Sequence, residues 1–368
     1  MLNEVFFTSD FGYFFGMKEK KIKVLILYNE AHPEFYHKPA EPAPELDFKP
    51  YFEVDNLTPM EEYEIMVKKL KRVGFDAYSH NLKDDIHGLL KLVKDNPPDV
   101  IFNFAEIFRD QPRLEMNLVG LYELLDIPYT GAPSLTLANC QSKFLTKKLL
   151  NYHGIKTAKF QLFEEIPDEM KLETKFPVIV KPAYEDASVG IENESIVYNT
   201  KALIKRIEYV FSEFKQPAMI EEFIEGREFN VSVMGDLKPK VLPISEIDFS
   251  KMPDHLHNIV SYQAKWDPHH ESYHKTIPIC PAKISKSLEE KLKHTAISAF
   301  KIMGTRDYAR VDMRVTSDEE VYVLEVNPNP DLTEGAGFMR SAHAAGLSYS
   351  QALKKIVMLA YERGKRKL

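Results

Sequence analysis

From Ile22 onward, apolar positions fall into an alternating order of strand-sized runs and helix-period segments, which predicts a parallel sheet with helices packed on it. The first strand is Ile22–Tyr28. Thr58-Pro59-Met60-Glu61 supplies an N-cap, a proline at the first helical position and a capping-box glutamate, and Gly74 ends that helix in a left-handed conformation. A strand near Phe75–Ser79, a helix near Ile86–Lys94, a buried strand Val100–Phe104 and a helix near Leu114–Leu125 follow, with Pro128–Pro133 as a turn-rich exit. The stretch His32–Asn56 carries five prolines, too irregular for an element and too long for an ordinary connection, so it reads as a lid or a partner surface.

Beyond a boundary placed near Gly131 the rhythm changes. Thr136–Tyr152 reads as one basic helix stopped by Gly154, followed by a strand at Phe176–Val180, a helix at Ala202–Phe214, and strands at Ala218–Phe223 and Glu228–Met234. Asp248–Ile277 has no strong period and is expected to be loop-rich. Leu288–Met303 is a helix ended by Gly304. YARVDMRV and VYVLEVNP then form two period-2 runs around Thr316–Glu320, which read as a hairpin.

Composition narrows the class. The chain has 368 residues, 44% of them apolar, enough for more than one core. A net charge of -7, with basic and acidic residues interspersed, does not suggest a nucleic-acid surface. Cys140 and Cys280 lie in no metal or redox spacing; they fit free, buried thiols in a reducing compartment. No apolar run is long enough to span a bilayer, and the aromatic start MLNEVFFTSDFGYFFG carries Glu4 and Asp10 and lacks a basic leader, so a cytoplasmic location is expected, without a membrane partner. Met17 looks like a natural start, which makes residues 1–16 an upstream extension.

The hairpin carries the clearest chemistry. With Asp318-Glu319 as a two-residue turn, Asp312 faces Glu325 and Arg310 faces Asn327. Two like charges directly opposite are destabilising. Either a cation lies between them, and oxygen ligands beside an amide suit magnesium held with phosphates, or the face is solvated and its charges pair with Arg310 and Arg314. In FPVIVKPAYEDASVG a strand ends in Lys181, and the small residues Ala187, Ser188 and Gly190 leave room for backbone N–H groups to approach a polyphosphate. This is not the Walker A spacing. MIEEFIEGREF ends a strand in Glu221 and Glu222, with Glu228 beyond: acceptors of the kind that adenine and ribose need beside apolar walls, or else charges at an exposed turn. No G-x-G-x-x-G follows the first strand, which disfavours a dinucleotide-dependent oxidoreductase.

Taken in order, FNFAEIF, ELLDIPYTGAPSLTLANCQSKFLTKKLL, FPVIVKPAYEDASVGI, MIEEFIEGREFNVSV, RDYARVDMRV and VLEVNPNPDLT resemble the ATP-grasp superfamily, and most closely the D-alanine–D-alanine ligases, over roughly Asp99–Ala360. The resemblance implies an α/β fold: an extension at 1–20, an N-terminal parallel-sheet domain at 21–131, and ATP-grasp subdomains at 132–222 and 223–368 with ATP between their antiparallel sheets. It implies an ATP-dependent carboxylate–amine ligase working through an acyl phosphate on amino-acid substrates, with two magnesium ions for which manganese can substitute, and a homodimer as the default. By motif position Lys143 and Lys181 match the phosphate lysines, Glu185–Gly190 with Ser188 the phosphate lid, Glu221, Glu222 and Ile224 the adenine hinge, and Glu228 the ribose acceptor. Asp312, Glu325 and Asn327 match the metal ligands, Arg310 the arginine that steadies the transferred phosphoryl group, and Lys265 the lysine that reaches the γ-phosphate from a covering loop.

The departures fall on substrate positions. YNEAHPEFYHKP replaces the family's glycine- and serine-rich turn, leaving Glu30 or Glu34 to hold the first substrate's ammonium. Ala187 stands where a lid serine is usual, Trp266 where its partner tyrosine is common, and Asp331 and Ala336 where a glycine and a serine receive a carboxylate. An aspartate there repels a carboxylate. This favours a different acid and amine pair, or an amine without a nearby carboxylate; a non-catalytic ATP-binding module is the other reading.

Overall fold

The computed structural model describes residues 20–32, 58–167 and 169–366. The expected extension, the proline-rich stretch from Pro33 on and Glu34 lie outside them. Three sheets organise the described residues.

The first is three-stranded and parallel, in the order β2 (Asp76–Asn81), β1 (Lys23–Tyr28), β3 (Val100–Phe104). Helix α1 (Pro59–Arg72) begins with the predicted capping box, Thr58 and Glu61 each bonding the other's backbone, and Gly74 takes a φ of +103°. Helices α2 (Ile86–Asp95) and α3 (Glu115–Leu124) complete this unit. Alternation along β1 sends Val24 and Ile26 into one core with α1, and Leu25 and Leu27 into another with α3.

One predicted helix is in fact two. Thr136–Tyr152 is split into α4 (Ser134–Gln141) and α5 (Lys143–Tyr152) by Ser142, which is extended (φ -88°, ψ 102°) and caps the second helix through Leu145 N–H. Hydroxyl capping competes with helix continuation, and the break re-aims Lys143. The second sheet is antiparallel, ordered β4 (Phe160–Phe163), β7 (Ala218–Glu222), β5 (Val178–Pro182), β6 (Ile196–Val197). Its Val178, Val180, Ala218 and Ile220 pack under α6 (Thr200–Phe214). Its other face carries Ile179, Lys181, Met219 and Glu221.

The third sheet has six strands: β11 (Ile277–Ile279), β10 (Ser245–Asp248), β8 (Arg227–Gly235), β12 (Asp307–Val315) and β13 (Val321–Asn327) in order, with β9 (Lys240–Val241) also on β8. Phe229, Val231, Val233, Ala309, Val311 and Met313 form a core beneath α9 (Lys286–Ile302). The opposite face presents Glu228, Asn230, Arg310, Asp312 and Arg314. The loop-rich region holds two short helices, α7 (Tyr262–Trp266) and α8 (Glu271–Lys275). Helices α10 (Gly337–Ala344) and α11 (Tyr349–Lys365) close the chain. Cys140 and Cys280 are free thiols, but half-buried rather than buried. No helix among the described residues is long and apolar enough to cross a membrane.

The hairpin register is as expected at its functional end, by a route that was not. Arg310 pairs with Asn327 and Asp312 with Glu325, yet Met313 pairs with Val323 and Val315 with Val321. The turn is three residues, 317–319, with Glu319 left-handed at φ 59° and Thr316 N–H bonded to Glu320 O at 3.1 Å. A bulge between Asp312 and Met313 on the β12 side absorbs the extra residue of β13. It also resets the alternation, so that Val321, Val323 and Val326 face the core while Glu325 and Asn327 face the site.

A buried junction ties the units together. Asp307, fully buried, receives the Arg363 guanidinium and Gly131 N–H (3.0 Å), while Arg363 also donates to Tyr129 O and Arg306 to Gly131 O. Breaking such a pair strands a buried charge. Arg363→Met is therefore expected to lower unfolding stability by about 3 kcal/mol, read from urea denaturation, whereas a surface change such as Lys365→Met leaves it unaltered.

Candidate active site

The site lies between the free faces of the two antiparallel sheets, with α5 at one side. Glu221, 1% exposed, is its first fixed point: Lys181 Nζ lies 3.1 Å and Lys147 Nζ 3.3 Å from the same carboxylate oxygen, Oε2. Burial raises a carboxyl, but the two ammoniums outweigh it and hold Glu221 below its ordinary range; burial in turn lowers Lys147. Glu221 Oε1 is buried with no partner among the described residues. An orphaned buried acceptor calls for a donor. The Glu222 side chain, one residue on, turns to the other face of the strand; its N–H bonds Lys159 O at 2.9 Å. Ile224, buried, gives its carbonyl to Arg314. Lys147 was not singled out from sequence. It lies four residues after Lys143 on the helix face that carries Thr146 and Leu150, and that spacing was the available signal.

The second fixed point is the hairpin. Arg310 grips Asp312 with two hydrogen bonds (2.7 and 2.8 Å), Asn230 adds another at 2.7 Å, and Asn327 Nδ2 bridges Asp312 (3.0 Å) and Glu325 (3.2 Å). Burial raises Asp312 despite Arg310. Burial would raise Glu325 too, but Lys143, Lys265 and Arg310 drive it well below the usual carboxylate range. Lys143 itself is lowered by desolvation against the pull of Glu325. The alternative of a solvated face is not realised, since both carboxylates are largely enclosed; Arg310 pairs as that alternative supposed, but Arg314 does not. It is buried on Glu228 at 2.9 Å and also holds Asn258 O. Glu228 thus has one oxygen, Oε2, committed to Arg314.

The remaining residues surround these two points. The loop with Glu185 and Ser188 crosses one side: Glu185 accepts from Gln216 (2.7 Å) and Ser188 Oγ donates to Val260 O (2.9 Å). Helix α10 starts at Ala336 without a side-chain cap, and a Cβ on Gly337 would stand 3.8 Å from Arg310 Cδ, so the positive end of this helix borders Arg310. Glu30, after β1, is held by a reciprocal pair of bonds between its backbone and the Asn81 amide. Asp331 is exposed and bonded to Thr333. Sequence reasoning missed Glu106 and Glu115. Enclosure by protein, then Asp331, Asp186 and Glu30, push the Glu106 carboxyl upward; burial, then Glu106, push Glu115 to about 8 although Asn329 donates to it at 3.0 Å. The site has two signs: lysines and arginines toward the antiparallel sheets, and carboxylates toward the ends of β1 and β3, where ligands of parallel sheets bind.

The family profile described as D-ala D-ala ligase C-terminus matches residues 147–358. The chain belongs to the D-alanine–D-alanine ligase family. A D-alanine–D-alanine ligase of Carboxydothermus hydrogenoformans is 36% identical over 252 residues, 66% of this chain and 76% of that protein. Another, from Aquifex aeolicus, is 29% identical over 79% of this chain and 92% of its own length. The Bacillus anthracis ligase, solved in complex with ATP, superposes with a TM-score of 0.68 at 24% identity, covering 95% of this chain and 99% of that one, which establishes the ATP-grasp fold. Members of the family are ATP-dependent ligases that form C–N bonds.

The Glu221 cluster gives a direct test. Glu221→Gln keeps the shape but leaves Lys147 and Lys181 without a counter-charge, so ATP binding, measured by calorimetry, is expected to weaken by about 2–3 kcal/mol, some thirtyfold or more.

Proposed function

We propose that this chain activates a carboxylate with ATP and joins it to a cationic amine that carries no carboxylate near its reacting nitrogen. The observation that carries the reading is the division of the site by charge. Lys143, Lys181 and Lys265 suit a polyphosphate, Glu221 Oε1 and the apolar hinge at Ile224 suit adenine, and Arg310 with the positive end of α10 suits a phosphoryl group and the oxyanion formed next to it.

Asp312, Glu325 and Asn327 would hold magnesium, or manganese in its place. The donor set fits: two buried carboxylates facing each other, and an amide that presents oxygen once turned. In the present geometry Arg310 stands in as their counter-cation. Bound there, magnesium neutralises phosphate charge during transfer.

The reaction balances in two steps. A substrate carboxylate oxygen attacks the γ-phosphorus, ADP leaves, and an acyl phosphate results. The amine nitrogen, having lost a proton, attacks the carbonyl carbon; phosphate departs as the C–N bond is completed. Arg310 and α10 steady the oxygens that gain charge, and the covering loops keep water away.

The carboxylate side supports the choice of amine. Tyr28 stacks on Tyr63 at 4.3 Å and Phe104 lies 5.3 Å from Tyr63, while burial, then Glu106, Glu30, Glu62 and Asp331, raise the Tyr63 phenol. Aromatic faces beside carboxylates attract an organic cation. A second carboxylate would meet Asp331 and Glu106.

ADP release in the presence of a reactive pair is expected to stop on chelation and return with magnesium or manganese; turnover that persists in chelator counts against the metal assignment. Because Glu106 is raised, it gains charge as pH rises through neutrality, so KM for the amine is expected to fall between about pH 6 and 8. Glu106→Gln flattens that profile. A screen in which only D-alanine couples would sink the cationic-amine reading and leave the ligase chemistry intact.

A further inference from the structure

The loop from Tyr184 to Ile191 is pinned at both ends. At its entry Gln216 accepts Tyr184 N–H and donates to Glu185, both at 2.7 Å. At its exit Arg206, stacked 4.1 Å from the Tyr209 ring, donates to Gly190 O (3.0 Å), Ser195 Oγ (2.9 Å) and Glu192 (2.8 Å). Gly190 has a φ of +73°, and a Cβ there would stand 2.5 Å from Pro182 Cγ, so this hinge accepts no other side chain without strain. Between the hinges Ala187 and Ser188 are both left-handed, at φ 48° and 66°.

That middle is fastened to a second loop. Trp266 Nε1 donates to Ala187 O at 2.8 Å, Ser188 Oγ to Val260 O at 2.9 Å, and Tyr262 N–H to Ile191 O at 2.7 Å. Ile259 packs with Ile179 and Ile196, and Ile191 lies against them. Trp266 ends α7 directly after Lys265, whose charge is felt at Glu325. Successive helix residues point about 100° apart, so one short helix serves the loop with one side chain and the metal carboxylates with the next.

We infer that Trp266 is a positioning residue: its indole N–H joins the 184–191 loop and the Lys265 helix into one cover, which opens and closes over the nucleotide as a unit. The inference rests on the ATP-dependent reading above. Trp266 is 55% exposed, so its ring adds little burial and its hydrogen bond is what distinguishes it from any other apolar residue. The partner is a backbone carbonyl. Side-chain changes at position 187 therefore leave the acceptor in place, and the fastening needs no substrate-binding carboxylate.

Trp266 is the sole tryptophan of the chain, so its emission reports the cover without labelling. The first experiment titrates the wild-type chain with AMP-PNP and magnesium, following binding by calorimetry and emission in parallel. A blue shift that saturates with binding is expected. Binding without any change in emission overturns the inference while leaving the ATP reading in place; no binding at all sinks both. The second experiment compares Trp266→Phe with Trp266→Tyr. The first removes the donor and is expected to lower kcat about tenfold with the melting temperature unchanged, whereas the second retains a donor and stays within about threefold of wild type. Equal kcat in Trp266→Phe and wild type overturns the inference.

Discussion

Two carboxylates set face to face in a hairpin are the constraint from which the rest of the site follows. Asp312 and Glu325 repel each other, and neither has open water around it to soften the repulsion. Cationic and amide groups are therefore drawn in from several elements: Arg310 from the same strand, Asn327 from its partner, Asn230 from β8, Lys143 from α5 and Lys265 from α7. Each of these comes from a different part of the chain, so satisfying one pair of charges brings the elements of the site together. Glu221 repeats the logic on the smaller sheet with the sign reversed, one buried acid holding two lysines.

This architecture explains what could be read from the chain. The first sheet and α1 were legible because their signals are local: a capping box, a glycine that can take φ of +103°, and apolar runs bounded by polar turns. The facing of Asp312 and Glu325 was legible because period-2 runs have only two faces. What was not legible depends on local competition or on distance. Ser142 could cap a helix or sit inside one, and only the packed structure decides. The choice of Glu228 rather than the hairpin acids as partner of Arg314, and the enclosure of Glu106 and Glu115, arise from residues far apart in sequence.

The two signs of the site also explain why family resemblance and substrate identity can part company. Groups that bind a polyphosphate are borne on strands and helices of the two antiparallel sheets, where they also balance buried charge, so changing them strands a charge as well as losing a ligand. The groups facing the substrates sit after β1 and β3 and in the loop following β13, with more solvent and fewer obligations. Substitution there is cheaper, and the departures from the family pattern are found there.

The hairpin's turn and its bulge bear on how this chain can change in length. The three-residue turn advances one strand by a residue relative to a two-residue turn, and the bulge gives that residue back before Glu325. Either feature alone would rotate Glu325 and Asn327 into the apolar core and bring valines to the nucleotide. A deletion in the turn is thus tolerated only with loss of the bulge, so related chains are constrained to vary both together: the length of an exposed surface turn is inherited jointly with an irregularity deeper inside the sheet.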